Sequence, residues 1–181
     1  MVSIQTLDLA DRRLAAGWAA LCVEHVLELV EVAAPDDGRP RALVERTRSF
    51  AAGDVDAARG IRDRFRGGVG VGEVDDPVAA AVARAAGQAA AVCHMGAHAL
   101  GAAAYAALAA ALAHPDRPSA AADEIAWQVA QADEAVRAVL RTLPAAGTDR
   151  HGPLGPGLLT SGRVGALVRQ LQQGLADPTS P

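Results

Sequence analysis

The chain has 181 residues, a formal net charge of −4, 51% apolar residues and only 3% aromatics. That length suits one domain with a sizeable core, and the charge gives no general drive toward nucleic acid or an anionic membrane surface. A core drawn from Ala, Leu and Val favours close-packed helices over a β-sandwich or barrel, so the expected class is an all-α bundle.

The opening MVSIQTLDLADRR has no basic region followed by an apolar one, hence no secretory signal. Cys22 and Cys93 are too few for a disulfide framework and make no CxxC pair, which makes the cytoplasm the expected compartment. All 17 basic residues are arginine and there is no lysine or asparagine, a bias of GC-rich bacterial genomes. A first helix is predicted from Leu9 to Val32, capped by Asp8. Leu14, Trp18, Leu21, His25, Leu29 and Val32 recur at helical spacing, which places His25 inside an apolar seam with Cys22 on its edge. Pro35 ends that helix by pushing Ala34 out of the α region.

The connection PDDGRP leads through Pro40 into a second helix, Arg41 to Ala52, closed by Gly53. Asp54 caps a third helix to about Arg66. Together these two helices hold eight arginines, from Arg39 to Arg66, against four acids. That face is either a solvated surface laced with ion pairs or a landing surface for an acidic partner. GGVGVGEVDD, residues 67–76, lacks the lysine and serine or threonine of a phosphate-binding loop and reads as a flexible connection.

The element around which the rest must pack runs from Pro77 to His114, the longest apolar run in the chain. Asp76 and Pro77 form a strong helix start. His94, His98, Gly101 and Tyr105 fall on one stripe at i, i+4, i+7 and i+11. One rod of about 37 residues would span roughly 55 Å, too long for a domain of this size, so a break is predicted near Gly87 or Gly96. The uncharged window Ala99–Ala113 is shorter than the roughly twenty residues a membrane span needs. Ser119 then caps a helix from Ala120 to Leu143 with Ile125, Val129, Ala132, Val136 and Leu140 on its apolar face. From Pro144 the chain turns Gly- and Pro-rich and irregular, with one further helix from Arg163 to Leu175. The predicted architecture is a single-domain bundle of six to seven helices around a central Ala-rich one. Residues 1–145 form the helical domain, and residues 146–181 a Gly/Pro-rich tail with one short helix.

Two constellations carry chemistry. Cys22, His25, Cys93, His94 and His98 are the soft-ligand set: two histidines at i and i+4 with a C-x-x-H pair on a facing helix could complete a metal tetrahedron. The same histidines could equally be held in interhelical hydrogen bonds, to Tyr105 or to Asp36 and Asp37. If the first and central helices pack side by side, His25 and His98 are expected to be largely buried and within one or two hydrogen bonds of each other, of Tyr105, or of an ordered water between them. PDDGRPR is the second set. Asp36, Asp37, Arg39 and Arg41 at a helix entrance make either caps and ion pairs or an exposed polar rim suited to a protein partner.

RRLAAGWAALCVEHVLELVE with PDDGRPR, then CHMGAHALGAAAYAA and EIAWQ, resembles the Imm-5-like immunity proteins of bacterial polymorphic toxin systems, over about residues 8–130. The matching positions are Trp18, Cys22, His25, Pro35, Asp36, Asp37, Arg39, Pro40, Arg41, Gly87, His94, His98, Gly101, Tyr105 and Trp127. The resemblance implies a small all-helical protein that binds a protein toxin without catalysis or cofactor. It does not extend to the GGVGVG loop or to the tail after residue 144. Trp18, His25, Asp36, Asp37, Arg39, Arg41, His94, His98 and Tyr105 are the binding residues expected on that reading. A homodimer is an open option, and neither nucleic acid nor membrane is an expected partner. The competing reading is a metal- or small-ligand-binding bundle, including an enzyme, that uses Cys22, His25, His94 and His98.

Overall fold

The structure, a computed structural model, describes residues 3–58 and 75–177. Among the described residues a short 3-10 turn, Ile4–Thr6, precedes eight α-helices, and there is no strand. The helices are α1 Leu9–Glu24, α2 Leu27–Ala33, α3 Arg39–Ala52, α4 Pro77–Ala91, α5 His98–Ala113, α6 Ala120–Ala130, α7 Glu134–Arg141 and α8 Gly162–Ala176. The predicted third helix and the GGVGVG stretch lie largely outside the described residues. The all-α, single-domain expectation holds.

At the centre is α5, which packs against α1, α4, α6 and α8. From Ala99 to Ala107 every residue of α5 is buried. Alanine and glycine project so little that neighbouring backbones can close in on all sides, and alanine carries the highest helix propensity. The long apolar run breaks at residues 92–97, as the Gly96 alternative anticipates. Gly96 is buried there: a Cβ on it would lie 2.3 Å from Leu7 Cδ1 and 2.7 Å from Leu7 Cγ. The Gly96 and Ala97 N–H groups donate to the carbonyls of Thr6 and Gln5 at 3.2 and 3.0 Å, so the amino-terminal turn satisfies the start of α5. Leu7 reaches this position with φ 59°, a conformation that L-residues adopt only under strain.

Several helix ends follow the predicted capping chemistry. Asp8 accepts from Asp11 N at 2.9 Å, and Asp76 accepts from Ala79 N at 2.8 Å. Gly53 closes α3 with φ 88°. Ser119 precedes α6 but does not cap a backbone N–H; its hydroxyl donates to Asp123 Oδ2 at 3.0 Å.

Two predicted helices are each divided. The Ala120–Leu143 helix stops at Ala130 and restarts at Glu134, because Asp133 accepts from Val136 N at 2.8 Å and caps a new helix. Buried Arg137 reaches back to donate to the carbonyls of Ala132 (2.9 Å) and Val129 (2.8 Å), which ties the start of α7 to the end of α6. The apolar face survives the break, since Ile125, Val129, Ala132, Val136 and Leu140 are all buried.

The Leu9–Val32 helix breaks at His25 and Val26, and here the predicted seam is corrected. Trp18 is buried, but Leu14, His25 and Val32 are exposed and Leu21 and Leu29 only half-buried. The inward face is instead Ala15, Ala16, Ala19, Ala20, Cys22 and Val23, followed by Val26, Leu27 and Val30 after the break. In a core this rich in alanine, the side of α1 with the smallest side chains allows the closest approach to its neighbours, and the larger leucines fall to the rim.

The segment after Leu143 is irregular as far as Ser161, yet it carries buried side chains. Leu154 and Leu159 enter the core, and α8 packs against α5, α6 and α7. The fully buried Gln5 side chain binds this segment: Nε2 donates to Asp149 Oδ2 (2.7 Å) and to the His151 carbonyl (2.6 Å), while Oε1 accepts from Leu154 N (2.9 Å).

Candidate functional site

His25 stands at the break between α1 and α2, where the chain leaves the helical path and carries the ring outward. Its side chain is 41% exposed. One face lies flat on the Trp127 indole of α6, with ring centroids 3.6 Å apart and planes 9° from parallel. Nδ1 is 2.8 Å from Glu124 Oε2, and the Glu124 side chain is only 5% exposed. A carboxylate taken out of water must be paired or hydrogen-bonded. Glu124 Oε1 meets that need from the other side by accepting from Gln128 Nε2 at 2.9 Å.

Gln128 extends the network inward. Its Nε2 also donates to the Ala103 carbonyl of α5 at 3.2 Å, and its backbone carbonyl accepts from Trp18 Nε1 at 2.9 Å. Trp18, Gln128, Glu124 and His25 thus link the interior of α1 and α6 to one ring at the surface. Cys22 sits fully buried near this network. Burial pushes its thiol well above the usual range, and the Glu124 charge adds to the rise. The thiol therefore stays protonated at neutral pH, the wrong form for a nucleophile.

The other histidines go elsewhere. His98 is half-buried at the start of α5, with Nδ1 2.7 Å from Gln88 Oε1 of α4. Gly101 leaves room for that contact, since a Cβ there would lie 2.6 Å from Gln88 Oε1. His94 is exposed in the turn between α4 and α5, and Tyr105 is buried in α5. The expectation that His25 and His98 are buried together is therefore corrected: each is bonded to a different side chain on a different helix. The proposed metal quartet fails with it, for among the described residues no group of three or more His, Cys, Asp or Glu side chains is placed to hold an ion. Of the three histidines expected on helices, only His98 stands in one; His25 lies at the break between α1 and α2 and His94 in the turn before α5.

The PDDGRPR set lies across the turn from α2 to α3. Asp37 Oδ1 accepts from Arg39 Nε at 2.7 Å and from Arg39 N at 3.1 Å, with Arg39 Nη2 on Oδ2 at 2.9 Å. Asp36 is exposed, and exposed Arg41 pairs with Glu31 of α2 through Nε at 2.9 Å. The Arg39 guanidinium holds the Asp37 carboxyl below its ordinary value. A depressed folded-state value adds stability above the unfolded value, about pH 4 for aspartate, and that contribution disappears as pH falls through the folded value. Asp37→Asn is thus expected to lower the urea midpoint at pH 7 and to converge with the parent protein once the pH falls below the depressed folded-state value of Asp37. Parallel curves for the two proteins at both pH values would refute the pairing.

Glu124 and Gln128 were not among the candidates drawn from the sequence, although they bracket Trp127 in the string EIAWQ. A glutamate and a glutamine four residues apart look like any solvated helix face; only the packing of α6 on α1 and α5 turns that face inward. Among the described residues no helix is long and apolar enough to cross a membrane. No curated protein and no solved structure matches the chain. A family model described as Imm-5 like putative immunity protein matches residues 5–135, a span that holds every side chain of the His25 network and of the PDDGRPR turn. The chain belongs to the Imm-5-like immunity protein family.

Proposed function

We propose that the protein is an immunity factor that binds a protein toxin and neutralises it by occupancy, with no reaction of its own. The match of residues 5–135 to the immunity family carries this reading. The geometry supports it in kind. His25 and Arg41 stand at the surface of the α1–α2–α3 corner, each held by a carboxylate partner, with exposed Asp36 between them in sequence, which is how a preorganised protein-binding rim is built. The cysteines and histidines, in contrast, are dispersed over several helices and turns of the described structure.

The test is protection. Co-expression with toxins encoded beside the gene is expected to restore growth, and the protective pair is expected to co-elute as a stable complex. Loss of viability with every neighbouring toxin, and no complex with any of them, would overturn the reading. We further take the cytoplasm as the place of action, which fractionation of the producing cells checks.

A further inference from the structure

The buried network beneath His25 is more elaborate than folding requires. Both partners of Gln128 Nε2, the Ala103 carbonyl and Glu124 Oε1, are acceptors, so the amide cannot be turned over. Gln128 Oε1 is consequently left buried with no hydrogen-bond partner among the described residues. A core that accepts an unpaired amide oxygen and a buried carboxylate is less stable than an apolar one of the same shape. The outward result of this arrangement is a single imidazole locked in place: one face on Trp127, Nδ1 on Glu124, and the remainder of the ring open to solvent.

The chemistry of that ring selects what it can receive. In the neutral imidazole the proton sits on Nδ1 facing the carboxylate, and Nε2 is left as an acceptor. The Glu124 charge lies at the Nδ1 edge of the ring, and exposed Glu28 follows three residues later in sequence. Glu24 and Glu31 are already engaged by Arg48 and Arg41. A flat aromatic face with an acceptor nitrogen and excess negative charge fits a guanidinium or ammonium group.

We propose that His25, stacked on Trp127 and positioned by Glu124, is the anchor at which the toxin docks, and that it receives an arginine or lysine side chain from that toxin. The proposal rests on the immunity reading and adds to it the contact point and the chemistry of the partner.

The experiment measures binding of the toxin domain encoded beside the gene to the full chain and to His25→Ala, Glu124→Leu and Glu124→Gln, with a melting curve for each. His25→Ala removes an exposed ring and is expected to weaken binding by about tenfold or more with little change in Tm. Glu124→Leu removes the carboxylate that orients the ring and leaves one buried Gln128 N–H without its acceptor, so it is expected to lower Tm by a few degrees while weakening binding similarly. Loss of affinity in His25→Ala at little cost in Tm marks the ring as a contact rather than as support of the fold. Glu124→Gln preserves an acceptor for Nδ1 but removes the charge, so an affinity several-fold below that of the parent supports a basic partner group, and an unchanged affinity overturns that assignment.

If the parent chain binds and protects while His25→Ala and Glu124→Leu bind within about twofold of it, the anchor is wrong and the immunity reading stands. If the parent chain neither binds nor protects against any neighbouring toxin, the immunity reading fails and takes the anchor with it. A parent chain that sediments as a dimer, dissociated by His25→Ala, assigns the surface to a second copy and also overturns the proposal.

Discussion

Gln5→Ala is expected to destabilise the fold by about 2 kcal/mol, because one fully buried side chain satisfies two backbone groups of the segment that follows α7. Removing the amide leaves the buried Leu154 N–H without its acceptor and the His151 carbonyl without that donor, whereas Asp149 is open to water and keeps its bond from Arg150 N. Each of the two losses is worth on the order of 1 kcal/mol, more where the group remains out of water. For a chain of this length that corresponds to a fall in Tm of roughly 4–8 °C. Gln5→Glu is expected to be at least as damaging, since it keeps the acceptor for Leu154 but sets a second carboxylate against Asp149. The Gln5 amide, ahead of the Arg150 and His151 backbone bonds, holds the Asp149 carboxyl below its usual value, so Gln5→Ala should raise it part of the way back, readable by NMR titration. A melting temperature within a degree of the parent would mean that the amino-terminal turn is not bound as the structure has it.

The second large effect is at Trp18. Trp18→Ala is expected to cost about 4 kcal/mol, from the lost burial of the indole and the cavity left between α1 and α6. Trp18→Phe retains most of the volume but leaves the Gln128 carbonyl without its donor, and is expected to cost about 1–2 kcal/mol. Urea denaturation separates the two contributions. A phenylalanine variant as unstable as the alanine variant would show that ring shape, and not only the N–H, is decisive at this position.

Trp18 also marks how far the sequence can be read. Periodicity placed it in the core of α1 correctly, because a tryptophan in a helical pattern of apolar residues has few other places to go. The same pattern misassigned Leu14, His25 and Val32, since a hydrophobic-face argument ranks leucine above alanine, whereas this bundle selects the face that permits closest approach. Caps with a direct chemical cause, at Asp8, Asp76 and Gly53, were legible. The break at His25 was not, because it is tied to contacts from another helix, Glu124 and Trp127; the local cap at Asp133 was hidden by an apolar pattern that runs on through Ala132 and Val136. The candidate site was legible to the extent of His25 and Trp18. Glu124 and Gln128 become visible only when α6 is laid against α1 and α5, a pairing that no local spacing encodes.

The alanine wall of α5 has a consequence for how this protein can change over time. A methyl group has no rotamer to lose on folding, so these positions add almost no side-chain entropy to the cost of ordering the chain. They also have none to yield. Where a leucine-filled core can accommodate a new methylene by swinging a neighbour aside, a run such as Ala102, Ala103 and Ala104, flanked by backbone on several sides, has nothing that can rotate away. Sequence drift in the lineage is therefore channelled: α5 can exchange alanine for glycine or serine but not for anything larger, while diversification falls to the helix rims, the same surface that a changing partner would test.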